Sequence, residues 1–392
     1  MNAIPRLKRY EGPAFFSYGF RPFFFLGACY AALIIVIWLP LYEGEISLAT
    51  AFVPRDWHIH EMLFGYLAAV MTGFLLTAIP NWTGRLPLQG NQLIALVVIW
   101  LVGRIAVAFS AEIGWATAMA VDCGFIVLVV AAAAREIVAG KNWRNLKVLI
   151  PVSVLALANI GFHFEAYAKG VADLSIRLGI AATISLIMIM GGRLVPSFTR
   201  NWLARHKSQR FPAPFDKFDA AAVGVGAATL CLWAVWPEGM WTGAALMVSS
   251  LLHWLRLARW AGDRTSGEWL VLILHVAYGF IPLGFLLLAL GSLGVIAQSA
   301  GLHAWMVGAA GTMTLAVMTR ATLGHTGREL VAGLGTRAIY AAIVIAACAR
   351  IVAGLLPQWT FVLLHISALA WLAAFGGFAF LYGAFLFRPR IS

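Results

Sequence analysis

Nine histidines are the residues of this chain best suited to chemistry, and most of them lie in or beside long apolar runs. A histidine inside hydrocarbon is costly, so each one there is a functional hypothesis by default. Imidazole is a common protein ligand for haem iron and for copper. His58 and His60 open one apolar run, His163 closes another, His303 opens a third, and His365 lies about two turns into the last. His58 and His60 are two residues apart, so on a helix advancing about 100° per residue they point to nearly opposite flanks and can serve separate cofactors. His303 is the expected partner of His60 across a haem. His163 and His365 are candidates for copper. The plainer reading of this group is interfacial histidines bonded to headgroups, water and Glu61. His275 lies ahead of Tyr278 and Pro282 in a run whose other polar residue is Glu268; it can be a metal ligand, a proton carrier or a hydrogen-bonded core residue. His325, between Arg320 and Arg328, is a further metal candidate at a basic end that also suits anionic lipid.

These side chains need elements to position them, and the composition decides which. The 392 residues are 62% hydrophobic and only 11% charged, where a soluble domain carries roughly a quarter charged residues. The bilayer is the solvent for such a chain, and the fold class predicted is an all-α polytopic membrane protein. A span takes about 20 apolar residues, which places twelve helices at 22–42, 57–79, 91–110, 115–139, 145–167, 174–196, 217–236, 240–261, 268–291, 300–323, 336–356 and 359–386. With no soluble block long enough to be separate, residues 1–392 read as one transmembrane domain. Arg6, Lys8 and Arg9 precede the first run, and no small-residue cleavage site follows it, so an uncleaved first helix is expected.

A net charge of +12 raises the question of nucleic acid, but the Lys and Arg residues sit in short loops, where they set topology; no nucleic-acid partner is expected. The loop group Arg135, Lys141, Arg144 and Lys147, the group Arg200, Arg205, Lys207 and Arg210, and the tail residues Arg388 and Arg390 share one side with the basic N-terminus. The other side holds mostly Glu43, Glu45, Asp56, Glu112, Glu165, Asp173 and Glu238. The positive-inside rule then puts both termini in the cytoplasm. Cys29, Cys123, Cys231 and Cys348 lie in apolar runs with no CxxC and read as small buried hydrophobes. No P-loop, dinucleotide fingerprint or zinc-protease motif occurs.

The stretch His60–Arg85 matches His303–Arg328 at equal length: His60 with His303, Gly65 with Gly308, Ala78 with Ala321, and Thr83-Gly84-Arg85 with Thr326-Gly327-Arg328. Pro196, Arg193 and Thr199 of helix 6 fit between them. Equivalent helices at 2, 6 and 10 point to three four-helix units, 1–140, 141–265 and 266–392. Haem-copper oxidases resemble this layout in their twelve helices, their three arcs and the histidines of helices 2 and 10. Their helix 6 histidine is missing here, where Ile176 stands at that depth. Arg104 and Asp122, at comparable depth on neighbouring helices, are expected to pair. Met62, Met71, Met188, Met190, Met306, Met313 and Met318 concentrate in helices 2, 6 and 10, as core filler or as soft ligands. Gly191-Gly192 and Gly376-Gly377 suit close helix packing.

The run Trp57-His58-Ile59-His60-Glu61-Met62-Leu63-Phe64-Gly65 with Pro80-Asn81-Trp82-Thr83-Gly84-Arg85 resembles the NnrS family. So do Gly191-Gly192-Arg193 through Thr199-Arg200-Asn201-Trp202, the segment Leu274-His275-Val276-Ala277-Tyr278, and Val317-Met318-Thr319-Arg320 through His325-Thr326-Gly327-Arg328. The resemblance covers nearly the whole chain. It implies a bacterial cytoplasmic membrane, haem b and copper, and a role in denitrification or in protection against nitric oxide. It leaves open whether members catalyse a reaction. The positions carried over are His58, His60, His275, His303 and His325 with Arg85, Arg193, Arg200, Arg320 and Arg328. The expected function is therefore a haem/copper redox protein acting on nitric oxide or a related nitrogen compound, similar to a nitric oxide reductase, with an unknown electron donor. The alternatives are a twelve-helix secondary transporter and a haem-binding sensor or assembly partner without turnover.

Overall fold

The computed structural model describes residues 10–391. Arg6, Lys8 and Arg9, the expected cytoplasmic marker, lie outside the described residues. Among the described residues there are twelve long helices: α1 Phe20–Glu43, α2 Pro54–Thr83, α3 Asn91–Ala108, α4 Trp115–Ala139, α5 Trp143–Lys169, α6 Asp173–Arg205, α7 Lys217–Val235, α8 Met240–Ala258, α9 Trp269–Ser292, α10 Gln298–His325, α11 Leu334–Leu355 and α12 Pro357–Phe387. All but α8 are long and apolar enough to cross a membrane. At 19 residues, α8 spans about 28 Å, close to the hydrocarbon thickness. Its apolarity is lowered by His253 and Arg256, both buried, while Leu251, Trp254 and Leu255 face outward. The chain is thus a multi-pass helical membrane protein, as its composition requires.

The helices lie where the apolar runs predict them, with one clear extension. The run at 174–196 continues to Arg205, through Pro196. A proline ring in a helix presses on the residue four earlier, and here that residue is Gly192. Cys123 is buried, but Cys231 and Cys348 are exposed and all four thiols are free; the two outward cysteines sit on helix faces that meet lipid rather than core.

Packing divides the described residues into two compact units. The first runs to Gly179 and takes in Ala321–Arg328 and the chain from Phe378; the second comprises Ile180–Arg320 and Glu329–Gly377. Within the first, α2 is the enclosed helix, with 83% of its apolar window buried against 44% for α1 and 39% for α4. Within the second, α9 is the enclosed one, at 72% against 39% for α7. The helices that carry His60 and His275 are therefore the central ones of their units.

Two local features recur at the matched stretches of α2 and α10. Immediately after His60 the helix opens into π-helical turns over Glu61–Leu67, and immediately after His303 it does so over Ala304–Gly311. Such segments are rare and lie frequently at functional sites. Both stretches then end on a glycine of positive φ, Gly84 at 67° and Gly327 at 79°, with the preceding threonine hydroxyl bonded to the carbonyl one turn back. A left-handed glycine is a usual helix stop because no Cβ opposes that conformation.

Candidate metal centre

Five helices of the first unit direct polar side chains into one apolar interior. Tyr30 comes from α1, His60 and Glu61 from α2, Arg104 from α3, Asp122 from α4, and Asn159 and His163 from α5. His60, Glu61, Asp122, Asn159 and His163 are at most 1% exposed and Arg104 is 6% exposed. At about 1.5 Å per residue, His60, Asp122 and His163 each lie about 9–11 Å from the near end of their own helix, which is why residues far apart in sequence share a level.

Two glycines make the convergence sterically feasible. At Gly103, a methyl group would stand 3.2 Å from the Asp122 Cα; its absence lets α3 approach α4, and the next residue, Arg104, pairs with Asp122. At Gly65 a methyl group would meet the Tyr30 ring at 2.8 Å, Arg104 Nη1 at 3.0 Å and Glu61 Oε2 at 3.1 Å. Gly65 also offers its carbonyl to Trp100 Nε1 at 3.0 Å.

The hydrogen bonds assign roles to the atoms. Arg104 Nη1 donates to both Glu61 oxygens at 2.8 Å, and the Tyr30 hydroxyl bonds Glu61 as well. A carboxylate paired with arginine only accepts, so His60 Nδ1–H is the donor in its 2.8 Å bond to Glu61 Oε1. In a neutral imidazole that leaves a lone pair on Nε2. Facing this lone pair are Asn159 Oδ1 at 3.0 Å and Asp122 Oδ2 at 3.2 Å, both acceptors. His163 Nε2 lies 3.0 Å from the same Asp122 oxygen, which also accepts from Asn159 Nδ2 at 2.9 Å. His163 Nδ1 is buried without a hydrogen-bond partner. With both imidazoles neutral, two carboxylates and one guanidinium leave one net negative charge, and lone pairs converge where a cation belongs.

The donor set fits an ion. One ligand atom each from His60, Asp122 and His163 falls within 4.8 Å of the others, and atoms bound about 2.0–2.2 Å from a shared ion lie roughly 3–3.5 Å apart. Two imidazoles and a carboxylate suit copper, zinc or non-haem iron. The set does not fit a haem on His60. Asn159 and Asp122 stand 3.0–3.2 Å from its Nε2, and Phe52, Phe64 and Phe162 pack around the ring at centroid distances of 5.0–5.1 Å, so the approach to the nitrogen is filled by side chains.

The other histidines have separate surroundings. His58 turns away from His60, as the two-residue spacing predicts, and stacks on Trp38 at 4.1 Å. His303 falls in the second unit; its Nδ1 donates to the Ser299 carbonyl and its Nε2 accepts from Arg350 Nη2, both at 2.7 Å. His325 packs on Tyr18 and Phe20 in the first unit. His365 packs at a tilt on Phe361 and donates to its carbonyl at 2.9 Å. His275 lies against Thr199 in the second unit, with Nε2 2.8 Å from the hydroxyl.

Asn159, Tyr30 and a second buried group escaped the sequence reading. In the second unit Arg256 donates to Asp219 Oδ1 at 2.9 Å, to the Tyr278 hydroxyl at 2.7 Å and to the Met188 carbonyl at 3.0 Å, and His253 Nδ1 bonds the same hydroxyl at 2.9 Å. The signal was His253 and Arg256 three residues apart on one face of an otherwise apolar helix.

Fold and site together define a polytopic helical membrane protein with a buried His/His/Asp cluster able to hold a metal. The family model described as NnrS protein matches residues 14–390, and the chain belongs to that family. No curated protein matches the chain.

Proposed function

We propose that the chain is a metal-dependent protein of the bacterial cytoplasmic membrane, with both termini in the cytoplasm, that holds copper at His60, Asp122 and His163 and acts in nitric oxide metabolism or nitrosative-stress defence. One observation carries the metal reading: the His60 Nε2 lone pair faces two oxygen acceptors in a buried group short of one positive charge. A monovalent copper ion balances that charge, and imidazole is a copper ligand. Family membership supports the nitric oxide role, and it alone supports haem b, to which no step is assigned.

Copper held there would supply one-electron chemistry and a position for a small nitrogen ligand. The protein's part is positioning. Glu61 holds the His60 ring by its Nδ1–H, so Nε2 is the atom presented inward. Such outer partners of a ligating histidine fix its tautomer and raise its basicity. Arg104 holds both carboxylates against their mutual repulsion. The aromatic shell of Phe52, Phe64 and Phe162 packs on the His60 ring and keeps water from it.

The same charge deficit favours a second reading, in which a proton on His60 fills the gap and the cluster serves a proton-coupled transporter. Metal analysis of purified full-length protein separates the two. About one copper per chain in wild type, falling at least tenfold in both His163→Ala and Asp122→Ala, supports the metal centre. A metal-free wild type that exchanges substrate by counterflow in liposomes supports the carrier. Nitric oxide consumption by reduced, metal-loaded protein then assigns catalysis; binding without consumption assigns a sensor or assembly role.

A further inference from the structure

In the second unit, an open groove of about 660 Å³ runs between α8 and α9, walled mainly by Trp254, Leu257, Val276, Phe280 and Leu283. Gly262 and His275 stand at one end, beside the Arg210–Asp263 ion pair at 3.0 Å. The neighbouring outer face of α8 exposes Leu251 and Leu255, each 58% accessible, so in a membrane the groove opens to lipid.

The hydrogen bonds of His275 fix which of its nitrogens is free. The Thr199 hydroxyl donates its one proton to the Val195 carbonyl at 2.8 Å, so in the 2.8 Å contact with His275 Nε2 the hydroxyl accepts. Nε2 therefore carries the hydrogen of the neutral ring, and Nδ1 is an acceptor. The residue is 93% buried, since 7% of it is accessible, and Nδ1 has no hydrogen-bond partner. Nδ1 lies buried against Gly262, a residue of the groove wall, where the first carbon of any side chain would fall 2.5 Å away.

A buried acceptor left unmade is costly, and the surroundings define what meets it. The occupant needs a hydroxyl donor, an apolar body for the groove wall, and solubility in hydrocarbon, because His275 lies six residues inside α9, about 9 Å below its end. An anionic phospholipid is disfavoured: Arg210 is already paired, and Asp263 repels a phosphate. A hydroquinone with an isoprenoid tail meets every requirement. Its oxidised form offers only carbonyl acceptors and cannot bond an acceptor nitrogen. We infer that the groove between α8 and α9 binds an isoprenoid quinol, with a ring hydroxyl donating to His275 Nδ1, in preference to the quinone. The inference does not depend on a metal at His60.

The test uses full-length protein in nanodiscs of phosphatidylethanolamine and phosphatidylglycerol, titrated with decylubiquinol and with decylubiquinone while tryptophan quenching is followed. Wild type is expected to bind the quinol saturably and about tenfold more tightly than the quinone. His275→Leu removes the preference, and so does Gly262→Ala, which keeps the imidazole but covers Nδ1; His275→Gln, with an amide oxygen as acceptor, restores part of it. Thermal midpoints identify any variant that fails to fold. Equal affinity for the two redox forms, or a preference that survives both His275→Leu and Gly262→Ala, overturns the inference. Loss of quinol binding in proportion to phosphatidylethanolamine, without redox discrimination, assigns the groove to ordinary lipid and also overturns it.

Discussion

His163 Nε2 lies 3.0 Å from Asp122 Oδ2, on the neighbouring helix and 41 residues along the chain. This contact joins the carboxylate that pairs with Arg104 to the imidazoles, and so turns an intramembrane ion pair into a site with ligand character.

Arg104 is the electrostatic keystone of that site. Arg104→Met leaves Glu61 and Asp122 buried without their cation, and breaking a buried pair in this way costs about 3–5 kcal/mol. A large fall in the thermal midpoint in detergent is expected. Arg104→Met combined with Glu61→Gln, which removes one of the two charges, is expected to recover a substantial part of it.

Asn159 touches both His60 and Asp122 without being a member of the ligand set. Loss of such a partner costs roughly 10–100-fold in metal affinity. Asn159→Leu is expected to keep the fold and weaken copper binding by that factor in a competition titration with a chelator. Unchanged affinity would remove Asn159 from any positioning role.

Gly65 has no room for a methyl group beside Tyr30, Arg104 and Glu61. Gly65→Ala is expected to destabilise by about 1–3 kcal/mol, the usual cost of overpacking, and to lower copper content with it. An alanine that leaves both untouched would mean that α1 and α3 give way freely.

In the second unit Gly192 stands where a side chain would collide with the Arg256 guanidinium. Gly192→Ala is therefore expected to reproduce the stability loss of Arg256→Leu, and the double variant to be far from additive. Thermal unfolding of the three proteins tests this.

Asp216, exposed at the start of α7, has its carboxyl held down to about 2 by the Arg259 guanidinium and the Asp219 amide. A lowered folded value contributes stability above the ordinary aspartate range and loses it as pH falls through the folded value. The midpoint difference between wild type and Asp216→Asn should be positive at pH 6 and shrink as pH drops from about 4 towards about 2.

Much of the candidate site was legible along the chain. His60 and His163 stood out as imidazoles at the edges of apolar runs, and the Arg104–Asp122 pair followed from matching depth. Asn159 did not stand out, because an asparagine in a span is uncharged and its role lies wholly in its two neighbours. Arg256 lies near a helix end, where an arginine ordinarily reaches for the interface; it turns inward because Asp219 and Tyr278 await it. The four-helix repeat stays a proposal, supported by the π-helical turns that follow His60 and His303 alike.

What the chain determined by itself is one-dimensional: where the spans run, where glycine stops them, and how deep each histidine lies. Run length, helical rise and backbone conformation are local quantities, read residue by residue. Which side chains meet was decided only by tertiary packing. That choice depends on the rotation of each helix and the identity of its neighbours, set by close approaches such as Gly103 on Asp122. So His60 and His303, equivalent in sequence, take different partners: a carboxylate, an amide and a second imidazole for one, an arginine and a backbone carbonyl for the other.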